Sequence, residues 1–272
     1  MVLSKPERSS GPAPYALIDR RPLVQVDFEI KHRSQTKGNG AARAPRGDRG
    51  AIDAPARAAF TSLFTGVSPQ PIDEVLRTAR LRVALPGESI ANADEMDQVG
   101  VLIDGMLRTV ISLADGRTAT IHYPTPVAFF GLPTIFFPVP LSVQVVRTAT
   151  VVELVAPELR RCALEFPDFG WFLSGQLAGA VRHVPAIIEE FGFKTVRERI
   201  ASDLITLSEP DGSNGVRTAH VTQTTLAEYV GSAREVVWRC LRSLAMDGMV
   251  IVSHGSVRIV DEAGLRRVAG LP

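Results

Sequence analysis

The 272 residues are 45% hydrophobic and 22% charged, the composition of an ordinary globular protein with room for two domains. The net charge of only +1 lacks the strong basic balance that by itself indicates a nucleic-acid partner. Cys162 and Cys240 are the only cysteines, so one chain lacks the ligands for a zinc site or a cysteine-ligated iron–sulfur cluster, and such sparse cysteines fit a reducing cytoplasm.

Residues 1–55 are predicted to form a disordered basic tail. Lys and Arg outnumber Asp and Glu there, and Lys31 to Gly50 consists almost entirely of polar residues, Gly, Ala, Pro and Arg. Such a composition buries too little apolar surface to offset the entropy of ordering. Leu23 to Ile30 alternates like a strand but stands alone. The tail is interpreted either as a basic arm that adds affinity for an anionic partner or as a dispensable extension.

Residues 56–170 are predicted to form one domain that begins with short helices, divided at Ser68-Pro69-Gln70-Pro71, and continues with strands. Short apolar runs alternate with turn residues at regular spacing, which predicts a barrel or jelly roll. The strand candidates are Val99–Ile103, Leu107–Leu113, Thr118–Tyr123 and Val143–Val155, with turns expected at Pro86-Gly87-Glu88, Asp104-Gly105 and Asp115-Gly116.

The most apolar run, Pro126 to Leu141, carries four prolines and is shorter than the roughly 18 residues of a membrane helix, so no membrane span is predicted. Its bulky side chains either line an apolar pocket or form ordinary core: Phe129, Phe130, Phe136, Phe137 and Leu141. His122 is the one histidine of the strands and cannot supply a three- or four-ligand metal site. No Ser/His/Asp or Cys/His set at recognisable spacing indicates a catalytic site, so neither an enzyme nor a metal site is predicted.

Residues 171–194 are predicted to form a long helix whose apolar side chains advance by four, three, four, three and four residues, the spacing of a coiled-coil seam. The seam consists of Leu173, Leu177, Ala180, Val184, Ile187 and Phe191. It is predicted to join two copies of the chain, with burial against its own domain as the alternative. Pro185 lies inside the seam and is expected to kink or open the helix.

A hinge is predicted where this helix ends, at Gly192, Phe193, Lys194 and Thr195. Thr195 and Glu198 have the spacing of a capping box for the next helix, which opens a domain spanning residues 195–272. In that domain Thr222 can cap one helix, and Gly231 lies in a tight turn before a second, amphipathic helix at 232–246. Ser232 is its predicted N-cap, with Glu235 completing a capping box.

Alternating apolar residues on both sides of Ser253-His254-Gly255-Ser256 predict a hairpin, which completes a winged helix-turn-helix. Asp261 is expected to cap a short final helix. On the second helix, Arg234, Glu235 and Arg239 fall near the N-terminal end, the part of a recognition helix that enters the major groove. Arginine matches guanine O6 and N7, and glutamate accepts from the cytosine amino group. The alternative interpretation is a solvated helix face.

The segment Gly231-Ser232-Ala233-Arg234-Glu235-Val236-Val237-Trp238-Arg239 resembles the recognition-helix signature of the CRP/FNR family of bacterial transcription regulators. The resemblance implies that Arg234, Glu235 and Arg239 contact base edges. It also implies that Thr222 contacts a phosphate. Ser232, in the same segment as the signature, is predicted to contact DNA as well. Trp238 stands where the family often has glycine.

Two further segments, Val101 to Gly105 and Ala128 to Gly131, resemble corners of the cyclic-nucleotide-binding roll of that family. The phosphate cassette then departs from the nucleotide-binding pattern. Leu132 replaces the usual glutamate, and Pro140-Leu141 stands near the position of the usual arginine-serine pair. Because a cyclic phosphate needs donors and positive charge, neither cAMP nor cGMP is expected to bind, and no cofactor or effector is identified.

These features predict an α+β protein with an N-terminal jelly roll, a long dimerisation helix and a C-terminal winged helix-turn-helix. The expected function is that of a cytoplasmic, homodimeric transcription regulator that reads a palindromic, TGTGA-like site in double-stranded DNA. The family resemblance implies contact with RNA polymerase for activators. The alternative is a ligand sensor whose winged helix serves as a protein-interaction module.

Overall fold

The structure, a computed structural model, describes residues 49–112, 115–211 and 216–271. The predicted tail lies outside the described residues as far as residue 48. Two elements fall inside its predicted range: strand β1 (Arg49–Gly50), which pairs with the next strand, and the start of helix α1 (Ala54–Ser62). The folded chain therefore begins before the predicted boundary at residue 55.

The N-terminal domain is built on one antiparallel sheet, in which the described residues form seven strands. After β1 these are β2 (Arg80–Ala84), β3 (Ser89–Ala91), β4 (Gln98–Ser112), β5 (Thr118–His122), β6 (Ala128–Phe130) and β7 (Leu141–Val155). The main order is β1-β2-β7-β4-β5, with β3 paired to β7 and β6 paired to β4. This arrangement confirms the predicted strand-rich domain, and Gly116 lies between β4 and β5 with the positive φ that a tight hairpin requires.

The turn predicted at Asp104-Gly105 is wrong, because β4 runs through it as one strand. Its pairing with β7 continues on both sides, and the register shifts near Gly105. Gly105 has φ +93°, and a Cβ atom there would lie 2.3 Å from the Thr148 carbonyl oxygen. An Asp-Gly pair suits both a hairpin turn and a bulge within a strand. The pairing with the partner strand decides which of the two forms.

Helices cover the sheet and lead to the C-terminal domain. They are α2 (Pro69–Thr78), α3 (Ala156–Glu165), α4 (Pro167–Val181), α5 (Val184–Gly192) and α6 (Val196–Leu207). The helix predicted at 171–194 begins earlier and is divided in two at Arg182 and His183. Pro185 falls in the first turn of α5, where its missing N–H costs no hydrogen bond, so the predicted interruption at this proline is confirmed.

The C-terminal domain contains the predicted winged helix-turn-helix. Its remaining elements are β8 (Ser208–Pro210), β9 (Arg217–Ala219), α7 (Gln223–Val230), α8 (Arg234–Met246), β10 (Val250–Ser253), β11 (Ser256–Ile259) and α9 (Glu262–Ala269). The small sheet has the order β10-β11-β9-β8. The hairpin turn falls at His254-Gly255 and the Asp261 carboxylate accepts a hydrogen bond from the Gly264 N–H over 2.8 Å, both as predicted.

Each domain has its own apolar core, and the two cores meet. Met106 of β4 is buried among the residues of the C-terminal core, and Tyr123 and Val146 pack against the same core. Helices α6 and α7 therefore pack against the outer face of the N-terminal sheet. Within the described ranges, no helix has the length and apolar character needed to cross a membrane.

Candidate nucleic-acid interface

The first helix of the helix-turn-helix, α7, is held at both ends by local chemistry. Thr222 is its N-cap, and the Thr222 hydroxyl accepts a hydrogen bond from the Thr225 N–H over 3.1 Å, as predicted. Gly231 ends the helix in the left-handed conformation with φ +64°. The Ser232 N–H then donates to the Ala227 carbonyl over 3.0 Å, which closes the last turn of α7.

The second helix, α8, starts two residues later than predicted. Its N-cap is Ala233, which makes no side-chain capping bond, so the prediction that Ser232 caps this helix is wrong. Ser232 lies instead in the turn, where its N–H closes the last turn of α7. Arg234 and Glu235 consequently occupy the first turn of α8, where the Glu235 carboxylate is favoured by the helix dipole.

The inner face of α8 anchors the helix in its domain. Val237, Leu241 and Leu244 are buried in the C-terminal core, at the spacing predicted for the apolar face. Val236 and Cys240 belong to the same predicted face but are only half-buried. Burying each of the three core side chains stabilises the domain by about 1.5–3 kcal/mol before entropy is counted.

The outer face of α8 is defined by the exposed side chains Arg234, Glu235, Trp238, Arg239 and Arg242. In the part of the chain that the structure describes, no hydrogen bond or ion pair engages the side chains of Arg234, Glu235 or Arg239. Trp238 is 47% exposed, and the Arg242 guanidinium lies 5.4 Å from the centre of its indole ring. The three predicted base readers therefore share one surface and are free to bind a ligand.

The N-terminal sheet supports this interface from behind through α7. The side chain of Arg108 on β4 is buried, and its guanidinium lies 4.0 Å from the centre of the Tyr229 ring on α7. Arg108 also donates hydrogen bonds to Thr120 (3.1 Å) and Gln144 (2.6 Å). Arg117 of the β4–β5 hairpin donates to the Gly231 carbonyl over 3.0 Å. The turn that precedes the outer face is thus fastened to the N-terminal domain.

A second polar contact joins the domains at α6. The Tyr123 hydroxyl donates to an Asp203 carboxylate oxygen over 3.2 Å. Burial raises the pKa of Asp203 to about 7, although the hydrogen bond from Tyr123 opposes this shift. Burial also raises the pKa of Tyr123 well above its ordinary value. Sequence patterns gave no signal for these contacts beyond a charged residue, Arg108, inside an apolar strand.

A cavity of about 320 Å³ lies beside these contacts, between the two domains. Met106 and Leu207 form part of its apolar lining, and Tyr229 closes one side. At its edge Arg147 and Glu209 form an ion pair of 2.5 Å. Arg147 is the arginine closest in sequence to the altered phosphate cassette, and it is directed to the C-terminal domain.

The cassette itself carries no charged residue from Gly131 to Leu141. Leu132 is buried, and Phe130 is buried in the core of the sheet, where it lies against Gly100. Phe129 is half-buried against Phe172, whereas the neighbouring phenylalanines, Phe136 and Phe137, are exposed. These aromatic side chains are thus divided between core and surface and do not line one pocket. For Phe130 the structure supports the alternative of ordinary core.

The predicted dimer seam is also divided. Leu173 is 3% exposed within the core of its own domain, and Leu177 packs partly against that core. Ala180 and Val184 are exposed, and Ile187 and Phe191 are half-buried. The alternative of burial against its own domain therefore describes Leu173 and Leu177, because the face of α4 that carries them also carries the buried Phe169.

A different stripe of the same two helices faces outward. It advances by three, four, three, four and three residues and consists of Trp171, Ser174, Ala178, Val181, Pro185 and Ile188, all of them exposed. Trp171, Val181 and Ile188 are 82%, 66% and 56% exposed. Large apolar side chains exposed at coiled-coil spacing are typical of a helix face that packs against another helix.

The predicted hinge falls between α5 and α6. Gly192 ends α5, Phe193 is exposed, and Lys194 forms an ion pair of 2.8 Å with Glu190. Thr195 begins α6 with the predicted capping box: its N–H donates to Glu198 over 2.6 Å, and the Glu198 N–H donates back over 3.3 Å. Phe193 and Lys194 connect the end of α5 to this cap, and the N–H groups of both donate to the Glu189 carbonyl, over 3.0 and 3.1 Å.

Comparison with known proteins places both domains. The family model of the cyclic nucleotide-binding domain matches residues 81–165, and that of the Crp-like helix-turn-helix domain matches residues 198–268. The CRP-like cAMP-activated global transcriptional regulator of Mycobacterium tuberculosis is 26% identical over 78% of this chain and 97% of its own length. The transcriptional activator protein FnrA of Stutzerimonas stutzeri is 27% identical over 73% of this chain and 83% of its own.

A solved structure agrees with these relatives. The crystal structure of a CRP-family transcriptional regulator from Thermus thermophilus superimposes with a TM-score of 0.57 and 26% identity, over 70% of this chain and 96% of that one. The named relatives are transcription regulators, and the match includes the helix-turn-helix described above.

Proposed function

Since the chain belongs to the CRP/FNR family of transcriptional regulators, we propose that it is a cytoplasmic homodimer that binds a palindromic DNA site through the outer face of α8. One observation carries the proposal. Arg234, Glu235 and Arg239 are exposed together on the first two turns of α8, whose opposite face is buried, and they have no partner among the described residues. Charged groups held ready in this way are suited to a ligand rather than to stability. The proposed activity is regulatory and not enzymatic.

The three side chains have distinct roles in the proposed complex. Arg234 and Arg239 present planar donors to guanine O6 and N7, and Glu235 accepts from a cytosine amino group. Thr222 and Ser232, at the start of α7 and in the turn, contact backbone phosphates and position the helix. The proposed half-site is TGTGA-like and occurs in inverted order because a two-fold dimer presents the same helix twice.

For the dimer we propose the outward stripe of α4 and α5 as the contact with a second copy. Ala180 and Val184 of the originally predicted seam adjoin this stripe, with Ile187 and Phe191 at its margin, whereas Leu173 and Leu177 serve their own core. Burial of three large exposed side chains on each of two subunits removes apolar surface from water and so favours association. The proposed hinge at 192–195 then sets the angle between the paired helices and the DNA-binding domains.

We propose that binding does not require cAMP or cGMP. The cassette offers a buried Leu132, no charge from Gly131 to Leu141, and an Arg147 that pairs with Glu209. No residue of the cassette itself supplies a cationic donor for a cyclic phosphate, and the Arg160 guanidinium that reaches the Ile135 carbonyl is paired with Asp97. Contact with RNA polymerase, which the family implies for activators, stays a prediction.

The experiment is fluorescence anisotropy with a labelled palindromic duplex of TGTGA half-sites and a scrambled duplex, at one near-physiological salt concentration, with and without cAMP. The expected result is preference for the palindrome in both conditions. Preference that appears only with cAMP would overturn the effector part and leave the DNA-binding part intact. No preference for this site or for any site selected from a random library would favour the protein-interaction alternative.

The dimer is tested separately by sedimentation with Val181→Glu. The expected result is a shift from dimer to monomer, because a buried unpaired carboxylate is costly in an apolar contact. Val260→Glu is the matched control, since Val260 is similarly exposed but lies far from the stripe in sequence, on the C-terminal domain. Dissociation by both variants, or by neither, would contradict the proposed stripe.

A further inference from the structure

Trp238 is the feature of α8 that the three predicted base readers do not explain. An indole ring in the middle of a helix is normally buried, because it carries a large apolar surface. Here it is 47% exposed and lies on the outer face, three residues after Glu235 and next to Arg239. Val237 and Leu241 already fill the core side of this turn.

Arg242 accompanies Trp238 on that face. It follows one helical turn later, and its guanidinium lies 5.4 Å from the centre of the indole ring, within the range of a cation–π contact. Among the described residues it makes no hydrogen bond and no ion pair. Stacking on the indole orders the Arg242 side chain before it binds, so less rotamer entropy is lost on binding. The two side chains form one pre-organised unit, the Trp238–Arg242 pair.

We propose that the Trp238–Arg242 pair reads one thymine in each half-site, in addition to the bases read by Arg234, Glu235 and Arg239. The indole contacts the C5 methyl group of thymine, which is the apolar mark of that base in the major groove. Arg242, held over the ring, donates to a backbone phosphate and adds affinity without sequence information. The inference rests on the proposed DNA-binding function and deepens it, because it assigns the site a specificity determinant of its own.

The chemistry separates this role from mere bulk. A ring that only fills space gives the same affinity for thymine and for deoxyuridine. A ring that contacts the C5 methyl group binds thymine more tightly, because deoxyuridine lacks only that methyl. Losing one buried methyl group lowers affinity by about fourfold. Arg242, as a phosphate contact, instead contributes to the salt dependence, with a slope of about 0.9 per phosphate neutralised.

The experiment begins with selection of the preferred duplex from a random library by the full-length protein, followed by replacement of each thymine pair in turn by deoxyuridine. The expected result for the wild type is a loss of about fourfold per half-site at one position, and no loss at that position for Trp238→Ala. Arg242→Ala should lower affinity evenly across sequences and reduce the salt slope by about 1 per subunit. Met246→Ala, an exposed residue farther along the same helix, is the matched control.

A flat deoxyuridine scan in the wild type, or the same profile in wild type and Trp238→Ala, would overturn the inference while the selected duplex still supports the proposed function. Failure to select any duplex would overturn the proposed function itself. Circular dichroism of each variant checks that the helix is retained. Loss of the helix is not expected, because each variant removes only an exposed side chain.

Discussion

The polar side chains around the helix-turn-helix fall into two groups that differ in what satisfies them. At the junction between the domains, Arg108 contacts Tyr229, Tyr123 donates to Asp203, and Arg117 donates to a backbone carbonyl. On the outer face of α8, Arg234 and Arg239 have no partner among the described residues. Buried polar groups must be satisfied within the chain. Groups that recognise a ligand are left unsatisfied, at little cost, because water solvates them.

This difference separates two consequences of mutation. Changes at the junction should alter folding and the position of the C-terminal domain. Changes on the outer face should alter DNA binding and leave stability almost unchanged.

Tyr229→Ala should cause the largest change, a loss of about 3 kcal/mol in the free energy of unfolding, because it removes a buried ring and uncovers the buried Arg108 guanidinium. Tyr229→Phe keeps the ring and should cost much less. Chemical denaturation followed by circular dichroism measures both variants. Equal losses would show that the hydroxyl, and not the stacked ring, stabilises the junction.

Arg239→Ala should weaken binding to the selected duplex by about 1–3 kcal/mol per half-site and relax specificity at one base position. Its free energy of unfolding should stay within about 0.5 kcal/mol of the wild type, since the side chain is exposed and unpaired among the described residues. Anisotropy with matched and single-mismatch duplexes measures the first effect. A variant that loses stability as much as affinity would break the distinction between the two groups.

Asp203 makes the junction sensitive to pH. Burial raises its pKa from 3.8 to about 7, so the folded state holds the proton to higher pH than the unfolded state. Stability should therefore fall as the pH rises from about 5 to about 7, by about 2 kcal/mol, and change no further from this group above its folded pKa. Asp203→Asn, which cannot ionise, should abolish that part of the pH dependence. Identical slopes in both proteins would place the titrating group elsewhere.

Gly231 provides the smallest and sharpest test. It has φ +64°, and a Cβ atom there would lie 2.9 Å from the Ala119 Cβ of the N-terminal domain. Gly248 also has a positive φ, +73°, but a Cβ atom there would meet nothing within 4 Å. Gly231→Ala should therefore cost about 1 kcal/mol more than Gly248→Ala, since both carry the strain of the left-handed backbone and only one disturbs the domain contact. Equal losses would indicate that the domains do not touch at this turn.

Local signals predicted the elements that carry the interface. The threonine caps at Thr195 and Thr222, the proline in α5 and the glycine between α7 and α8 each act through backbone atoms a few residues away. Their effects are therefore encoded in short segments. The Asp115-Gly116 hairpin follows from the same kind of local chemistry.

The predictions that failed depend on atoms distant in sequence or on a neighbouring element. Serine is a typical N-cap residue, but Ser232 lies in the turn, where its N–H donates to a carbonyl of α7. Gly105 has the composition of a turn, but β7 stays paired across it. In both cases two local structures suit the same residues, and the neighbour in space selects one of them.

The helix-turn-helix, its hairpin and the exposed positions of Arg234, Glu235 and Arg239 could thus be derived from the order of residues, because caps, turns and helical faces are short-range properties. Which stripe of α4 and α5 faces outward could not, because the seam at Leu173 and Leu177 and the stripe at Trp171 and Val181 have the same heptad spacing. Only the packing of α4 on its own domain buries one and exposes the other. The contact of Arg108 with Tyr229 was likewise decided by tertiary structure, since the two residues lie in different domains and nothing local to either specifies the partner.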